Sequence, residues 1–291
     1  MSEMPDELDV SIVVPLYNAE PYLEPWLCGV HAHGWREGRM EIVVVDNGST
    51  DRGPERLRSE PRIRLISEWR RGAYVARNRG AREARGRILV FLDPDCVPQE
   101  NWLSELLSPL ADRAVQVVVG RVDPGGGSYP LRLLGTYENQ KMSHAFASRA
   151  PAMYSGYGGN MAVRREVFER LGRFAEDARG GDTKFVVDAA AALGCDAIRY
   201  APAARVSHLE VMTLGSFYRK FFIYGRSRKR EAGVAIQRPL SGADRASIVR
   251  QAAAGESRPL VASASLLALL AAGVGAFRAG AAIGRWQGAR R

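Results

Sequence analysis

The sequence predicts a mostly parallel, three-layer α/β domain over residues 9 to 212, followed by a basic, apolar helical tail over 213 to 291. Three observations predict it. Short runs of β-branched and apolar residues recur through the first 120 positions, unbroken by polar alternation, as in strands buried on both faces of a parallel sheet. Segments of helical composition separate them, so the order reads β-α-β-α-β-α-β-α-β. Carboxylates stand where apolar runs stop: Asp46 after Glu41-Ile-Val-Val-Val45, and Asp93 with Asp95 after Ile88-Leu-Val-Phe-Leu92. A third acidic position, Asp182, follows Gly180-Gly181. The ends of parallel strands form the edge at which open α/β sheets bind ligands. Clustered carboxylates there repel one another unless a cation joins them.

The first strand is Val10 to Val14, ended by Pro15, and a helix over Tyr22 to Val30 leads to the second strand, Glu41 to Val45. Asp46-Asn-Gly-Ser-Thr-Asp51 has turn composition, with a helix from Gly53 to Leu57 behind it. Ile63 to Ile66 is a third strand, Ala73 to Ala84 a helix, and Ile88 to Leu92 the fourth strand. Trp102, Leu103, Leu106, Leu107 and Leu110 share one helical face, and Val115 to Val119 is a fifth strand. Pro124-Gly-Gly-Gly127 marks a connection before helices over Leu131 to Phe146, Arg165 to Leu171 and Phe185 to Leu193. Two short strands, Ala197 to Tyr200 and Ala204 to Ser207, precede an aromatic and basic helix from Leu214 to Arg230.

Several of these positions suit chemistry, and each also has a plain structural explanation. Pro15-Leu-Tyr-Asn18 is a rigid turn that either ends a strand or offers the Tyr17 phenol to a nucleobase. Asp46 is either an Asx turn or an acceptor for a base N–H, with loop donors for phosphate behind it. Arg77 and Asn78 lie on an exposed helix face or bind a carboxylate or diphosphate. Asp93-Pro-Asp95 places two hard oxygen ligands on alternate residues, a pattern for a divalent cation that a diphosphate completes. Asp182 heads a helix, either as its cap or as a general base. His208 after Arg205-Val-Ser207 is a surface or core residue, or a metal or phosphate ligand.

Together these stretches resemble the family 2 glycosyltransferases of the GT-A fold. The resemblance rests on Ser11-Ile-Val-Val-Pro-Leu-Tyr-Asn18, Val44-Val-Asp-Asn-Gly-Ser-Thr-Asp51, Ala76-Arg-Asn-Arg-Gly80, Phe91-Leu-Asp-Pro-Asp95, Gly159-Asn-Met-Ala-Val-Arg-Arg165 and Gly180-Gly-Asp182, over residues 9 to 230. Six motifs in one order are far more specific than any one of them. The resemblance implies an inverting, metal-dependent transfer of a sugar from a nucleotide-diphosphate donor, a UDP-sugar by expectation, to a hydroxyl acceptor. It implies that Pro15, Tyr17, Asn18, Asp46, Arg77, Asn78 and Asp93 bind the nucleotide and that Asp95 and His208 hold Mg2+ or Mn2+. It further implies that Gly159 and Asn160 meet the sugar or acceptor, and that Asp182 is the base. One departure is Gly181, where many relatives carry glutamate. Other readings are a nucleotidyltransferase with a related sheet, which needs a Gly-rich loop that Pro15-Leu-Tyr-Asn18 does not supply, and a catalytically silent sugar-nucleotide-binding or scaffold protein.

Composition sets the partners. At 291 residues, 46% hydrophobic and 25% charged, the chain can bury a substantial core. Cys28, Cys96 and Cys195 form no C-x-x-C pair, which fits a reducing compartment, and Met1 to Asp9 has no apolar leader core. The net charge of +9 is unevenly spread: from Thr213 onward there are 14 Lys and Arg against 3 Asp and Glu, so the preceding residues are slightly acidic. The charge therefore sits beside the one long apolar stretch, Pro259 to Phe277, and not around the acidic positions, which favours a membrane surface over nucleic acid. Its 19 uncharged residues approach the roughly 20 that span a bilayer, but Arg278, Arg285, Arg290 and Arg291 follow them. A helix lying in the membrane interface keeps those arginines cytoplasmic, a single span exports them, and packing between subunits is the third alternative. The expected site of action is the cytoplasmic face of the cell membrane, in cell-surface polysaccharide or glycolipid synthesis with a lipid-linked glycan acceptor.

Overall fold

The computed structural model describes residues 9–32, 39–176, 179–227 and 240–289. Two compact units emerge. The first comprises Met1–Arg121, Ser155–Glu176 and Gly181–Ser207; the second comprises Val122–Tyr154, Asp177–Gly180 and His208–Arg291.

The strands are β1 (Val10–Leu16), β2 (Met40–Asp46), β3 (Ile63–Ser67), β4 (Ile88–Leu92), β5 (Cys96–Pro98), β6 (Val117–Pro124), β7 (Asn160–Arg164) and β8 (Ile198–His208). The α-helices are α1 (Glu20–His31), α2 (Gly53–Arg58), α3 (Ala73–Glu83), α4 (Trp102–Leu107), α5 (Tyr129–Ala147), α6 (Arg165–Arg170), α7 (Gly181–Leu193), α8 (Leu214–Ser227), α9 (Gly242–Ala253) and α10 (Pro259–Ala289).

The strands form one sheet in the order β3-β2-β1-β4-β7-β6-β8-β5. Its first four strands are parallel, with Val13 opposite Val43 on one side and Phe91 on the other. Both faces of these strands are covered, so β1 and the Val43–Val45 and Leu89–Leu92 runs are buried without alternation. Chain reversal then makes β7 antiparallel to both β4 and β6, so the sheet is mixed beyond β4. Phe91 of β4 meets Phe168 of α6 and Phe174 at ring distances of 5.1 and 4.8 Å, and Phe168 meets Phe185 of α7 at 5.1 Å. This aromatic cluster fixes the start of α7 against the sheet.

Four differences from the sequence reading have physical causes. β1 continues through Pro15 to Leu16, because its pairing with β4 ends at Val13 and the missing donor costs no bond on that side. The two short strands expected around Pro202 are one strand, β8, whose neighbour β5 has only three residues and leaves most of that side open to a proline. β7 has an apolar core of only three residues, Met161–Val163, too short for a periodicity signal. α9 starts at a capping box, with Ser241 Oγ accepting the Asp244 N–H at 3.1 Å and Asp244 Oδ2 accepting the Ser241 N–H at 3.0 Å. The expected helix over Leu214–Arg230 is described as far as Ser227, and Lys229 and Arg230 lie outside the described residues.

The second unit is helical. Leu133, Leu134 and Tyr137 of α5, Ile248, Val249, Ala252 and Ala253 of α9, and Ala262 and Leu266 of α10 make its core. Farther along, α10 lies against α8 through a seam of small residues. A Cβ on Gly280 would sit 2.0 Å from the Phe222 carbonyl oxygen, and one on Gly225 would sit 2.0 Å from that of Phe277. Tyr218 of α8 also donates to the Leu269 carbonyl at 3.0 Å. Replacing Gly280 with leucine is expected to force the two helices apart at a cost of about 1–3 kcal/mol. The measurement is the urea midpoint of the purified protein in mild detergent, and an unchanged midpoint would show that the seam yields freely.

Candidate active site

The parallel register lines up the ends of β1, β2 and β4, so Tyr17, Asp46 and Asp93 follow one another along the same edge of the first unit. Tyr17 is 52% exposed and stands at the mouth of a cavity of about 370 Å³ lined by Pro15, Leu16, Tyr17, Asn47, Arg71, Gly72 and Ala73. The Arg71 guanidinium lies 4.5 Å from the Tyr17 ring centroid and donates to the Asn47 and Gly48 carbonyls at 3.0 and 3.1 Å. A flat, electron-rich face thus stands ready beside a cavity with an immobilised cation behind it.

Side chains brace the loop after β2. Asp46 Oδ1 accepts the Ser49 N–H at 2.9 Å, as an Asx turn does. Asn18, left-handed at φ 48°, accepts the Thr50 N–H on its side-chain oxygen at 2.8 Å. Asp51 Oδ2 accepts the Glu20 N–H at 2.8 Å, which satisfies a donor at the start of α1. Asn47 is buried; its amide donates to the Glu68 and Arg70 carbonyls and accepts the Gly72 N–H, each at 2.8 Å. Asn47 and Arg71 both shape the cavity, and the sequence reading assigned neither; the Asn in Asp46-Asn-Gly-Ser-Thr was the available signal.

Arg77 is not on an exposed helix face. It is buried, and its guanidinium pairs with Asp93 at the end of β4. Burial works against its charge, but Asp93 first, then Tyr74 and Asp182, outweigh that and hold its pKa above the ordinary arginine value. Its Nε is buried without a hydrogen-bond partner among the described residues. Asn78 also faces inward: it donates to the Phe174 carbonyl at 2.9 Å and Glu176 at 3.0 Å, and accepts the Phe174 N–H at 3.1 Å. Asn78, expected at the nucleotide, thus clasps the 174–176 loop through its amide.

Asn160 is fully buried, accepting from the Trp102 indole N–H and donating to the Arg121 and Ala204 carbonyls, all at 2.8 Å, so its amide ties β7 to its neighbours. Gly159 lies beside Asp93, since a Cβ there would come within 2.7 Å of Asp93 Oδ2. Asp95 is half-buried in the turn between β4 and β5. His208 closes β8 and counts with the second unit, where the Lys220 ammonium lies 3.1 Å from both ring nitrogens.

Asp182 is the second residue of α7. Its Oδ1 accepts the Tyr74 hydroxyl at 2.9 Å and the Thr183 N–H at 2.8 Å, and Oδ2 accepts the Gly158 N–H at 2.8 Å. The carboxylate is half-buried at a helix N-terminus, where these three donors fix its orientation, and it can accept a proton from a group placed beside it.

A profile of the family described as Glycosyl transferase family 2 matches residues 11–172. Among curated relatives, glycosyltransferase AglE of Haloferax volcanii is 33% identical over 192 residues, 62% of this chain and 62% of that protein. Glycosyltransferase GlyG of Streptococcus pneumoniae is 32% identical over 134 residues, 43% of this chain and 44% of that protein. The chain thus matches roughly half the length of such relatives. Among solved structures, the mannosyltransferase PcManGT from Pyrobaculum calidifontis, in complex with GDP-Man and Mn2+, superposes with a TM-score of 0.59 at 24% identity, covering 99% of this chain and 84% of that one. Glucosyl-3-phosphoglycerate synthase from Mycobacterium tuberculosis, with Mn2+, UDP and glucosyl-3-phosphoglycerate, gives 0.54 at 22% identity over 76% of this chain and 80% of that one. These likenesses establish the GT-A fold.

The placement of Asn160 makes a prediction. Asn160→Leu removes the acceptor of the buried Trp102 indole N–H and a donor to the Arg121 and Ala204 carbonyls, which is expected to cost about 3 kcal/mol. Equilibrium urea unfolding measures it, and a loss below about 1 kcal/mol would mean that water replaces the amide.

Proposed function

The chain belongs to glycosyl transferase family 2, and from that premise we infer that it moves a sugar from a nucleotide-diphosphate donor, a UDP-sugar in our reading, to a hydroxyl acceptor with inversion. One observation supports this most. The cavity beside Tyr17, the paired Asp93 and the held carboxylate of Asp182 all belong to the sheet edge and loops of one unit. In this reading the base stacks on Tyr17, with Asp46 and Asp93 on the nucleoside side and Pro15 and Asn18 shaping the turn. Arg77 acts by holding Asp93. The acceptor hydroxyl oxygen bonds to the anomeric carbon as the bond to the diphosphate oxygen breaks. Asp182 takes the hydroxyl proton, and the nucleoside diphosphate leaves with the bonding pair. A single displacement inverts the centre.

A divalent ion, Mg2+ or Mn2+, fits the residues present. Asp95 offers hard oxygen donors on a half-buried turn, and the backbone of Gly158 and Gly159 lies bare of side chains beside Arg77 and Asp93. We assign Asp95 as its carboxylate ligand and His208 as the imidazole ligand that the family pattern implies. When bound, the ion neutralises charge on the leaving diphosphate.

We assign residues 9 to 212 to catalysis and 213 to 291 to attachment at the cytoplasmic face of a membrane, where a lipid-linked glycan is the acceptor in surface polysaccharide or glycolipid synthesis. Pro259–Trp286 is long and apolar enough to cross a membrane by length and composition. Along one side, however, α10 is occupied by α5, α9 and α8. On its other side Leu260, Val261, Leu267, Val274, Ile283 and Trp286 are exposed. A spanning α10 would drag Arg219, Lys220 and Arg226 of α8 into hydrocarbon, at about 2.5–3.5 kcal/mol for each charge near the centre. An in-plane helix buries the exposed face and leaves the basic residues at anionic headgroups.

Two predictions test this function. Asp95→Ala is expected to abolish the Mn2+-dependent part of UDP binding in calorimetry while the melting curve stays in place; full retention of that part would remove Asp95 from the metal site. Leu267→Glu with Val274→Glu is expected to abolish flotation of the full chain with phosphatidylglycerol vesicles without lowering its melting temperature. Flotation undiminished by the two charges would overturn the in-plane face, and labelling of a Trp286→Cys variant by an impermeant thiol reagent outside intact cells would establish a span instead.

A further inference from the structure

Tyr74 stands against the reacting carboxylate and has no role in the function described so far. It is the second residue of α3, and it reaches Asp182 from the element that also carries Arg77. A carboxylate offers about four lone-pair positions. On Asp182 three are filled by the described residues: two on Oδ1, by Tyr74 and Thr183, and one on Oδ2, by Gly158. The open position is therefore on Oδ2. We propose that Tyr74 is a positioning residue for the transfer reaction, closing Oδ1 so that Oδ2 is the atom that takes the acceptor proton. The proposal rests on Asp182 as the base.

The phenol is built into place. Its ring meets Phe174 at 5.6 Å, and the Arg77 guanidinium lies 5.3 Å from its centroid. A Cβ on Gly181 would come within 2.7 Å of the Ala175 carbonyl oxygen and 3.3 Å of two Tyr74 ring carbons. A side chain before Asp182 would clash with the Ala175 carbonyl and press on the ring, so the glycine that departs from the family pattern leaves both where they are.

Burial first, and then the charge of Asp182, push the Tyr74 pKa well above the usual tyrosine range, against the opposing charge of Arg77. Tyr74 therefore stays a proton donor wherever the enzyme works. Other groups facing Asp182 do not replace it. Arg77 on α3 is committed to Asp93, Lys184 on α7 is engaged by Asp188 at 2.6 Å, and the 156–158 loop meets the carboxylate through a backbone N–H.

The test uses the full chain and Tyr74→Phe, which keeps the ring packing and removes only the hydroxyl. The two readouts are kcat and KM for Mn2+-dependent UDP-glucose hydrolysis. The expected result in Tyr74→Phe is a kcat lower by about tenfold with KM unchanged, because the hydroxyl touches the carboxylate and not the donor. An unchanged kcat overturns the proposal, and so does a loss that falls on KM instead of kcat. Asp182→Asn separates the premise from the inference, since hydrolysis at the native rate in that variant sinks the base itself, whatever Tyr74 does. If Tyr74→Phe melts early, Tyr74→Leu carries the same two readouts.

Discussion

The site depends on one buried ion pair. Arg77 reaches from α3 to Asp93 at the end of β4 and joins the helix layer to the edge of the sheet. The loop 158–159 then lies flush against that pair: a Cβ on Gly158 would meet the Arg77 guanidinium carbon at 3.0 Å, and one on Gly159 would meet Asp93. Gly158 in turn donates to Asp182. A single charge–charge contact therefore lies under the loop that holds Asp182. Breaking one partner of such a pair leaves an uncompensated buried charge, typically at about 3–5 kcal/mol, so the pair works as a constraint more than as a source of stability.

The parts of this arrangement that were legible in the sequence are those with a period or a run. β1, β2 and β4 announced themselves because two-sided burial removes alternation, and the residues after them fell on one edge because parallel strands share a direction. The roles of individual polar residues were not legible in the same way. Asn78 and Asn160 sit in motifs of the family, yet both turn inward and spend their amides on backbone groups. Nothing in a residue's identity separates an asparagine that meets a ligand from one that meets a carbonyl; only burial does. Arg77 illustrates the same point for charge, since its carboxylate partner is 16 residues away in sequence and adjacent only because α3 packs over β1, the neighbour of β4. Tyr74 carried no signal at all, because its partner Asp182 is 108 residues away.

The second unit was hidden for another reason. Ala and Gly lower the contrast between the two faces of a helix, so α9 gave no strong stripe, although its Ser241-Gly-Ala-Asp244 start was a readable cap. α10 uses that same composition twice. Small residues admit α8 to backbone distance and Leu266 packs into the core on the same side, while Leu260, Leu267 and Val274 face outward. Hydrophobic length alone cannot distinguish such a helix from a span, because both satisfy the same count.

What distinguishes them is which side is already taken. A spanning helix must offer apolar surface all round or pair with other apolar helices. α10 instead pairs with α8, which carries Arg219, Lys220 and Arg226, and with α9, which carries Arg245 and Arg250. The helices that cover its inner side are charged on their own outer surfaces. The exposed side of α10 is apolar, interrupted by Arg278 and Arg285, and its neighbours carry cations, a pattern that fits a boundary better than an interior. In the in-plane arrangement proposed above, Arg219, Lys220 and Arg226 of α8 would then lie at the headgroup layer.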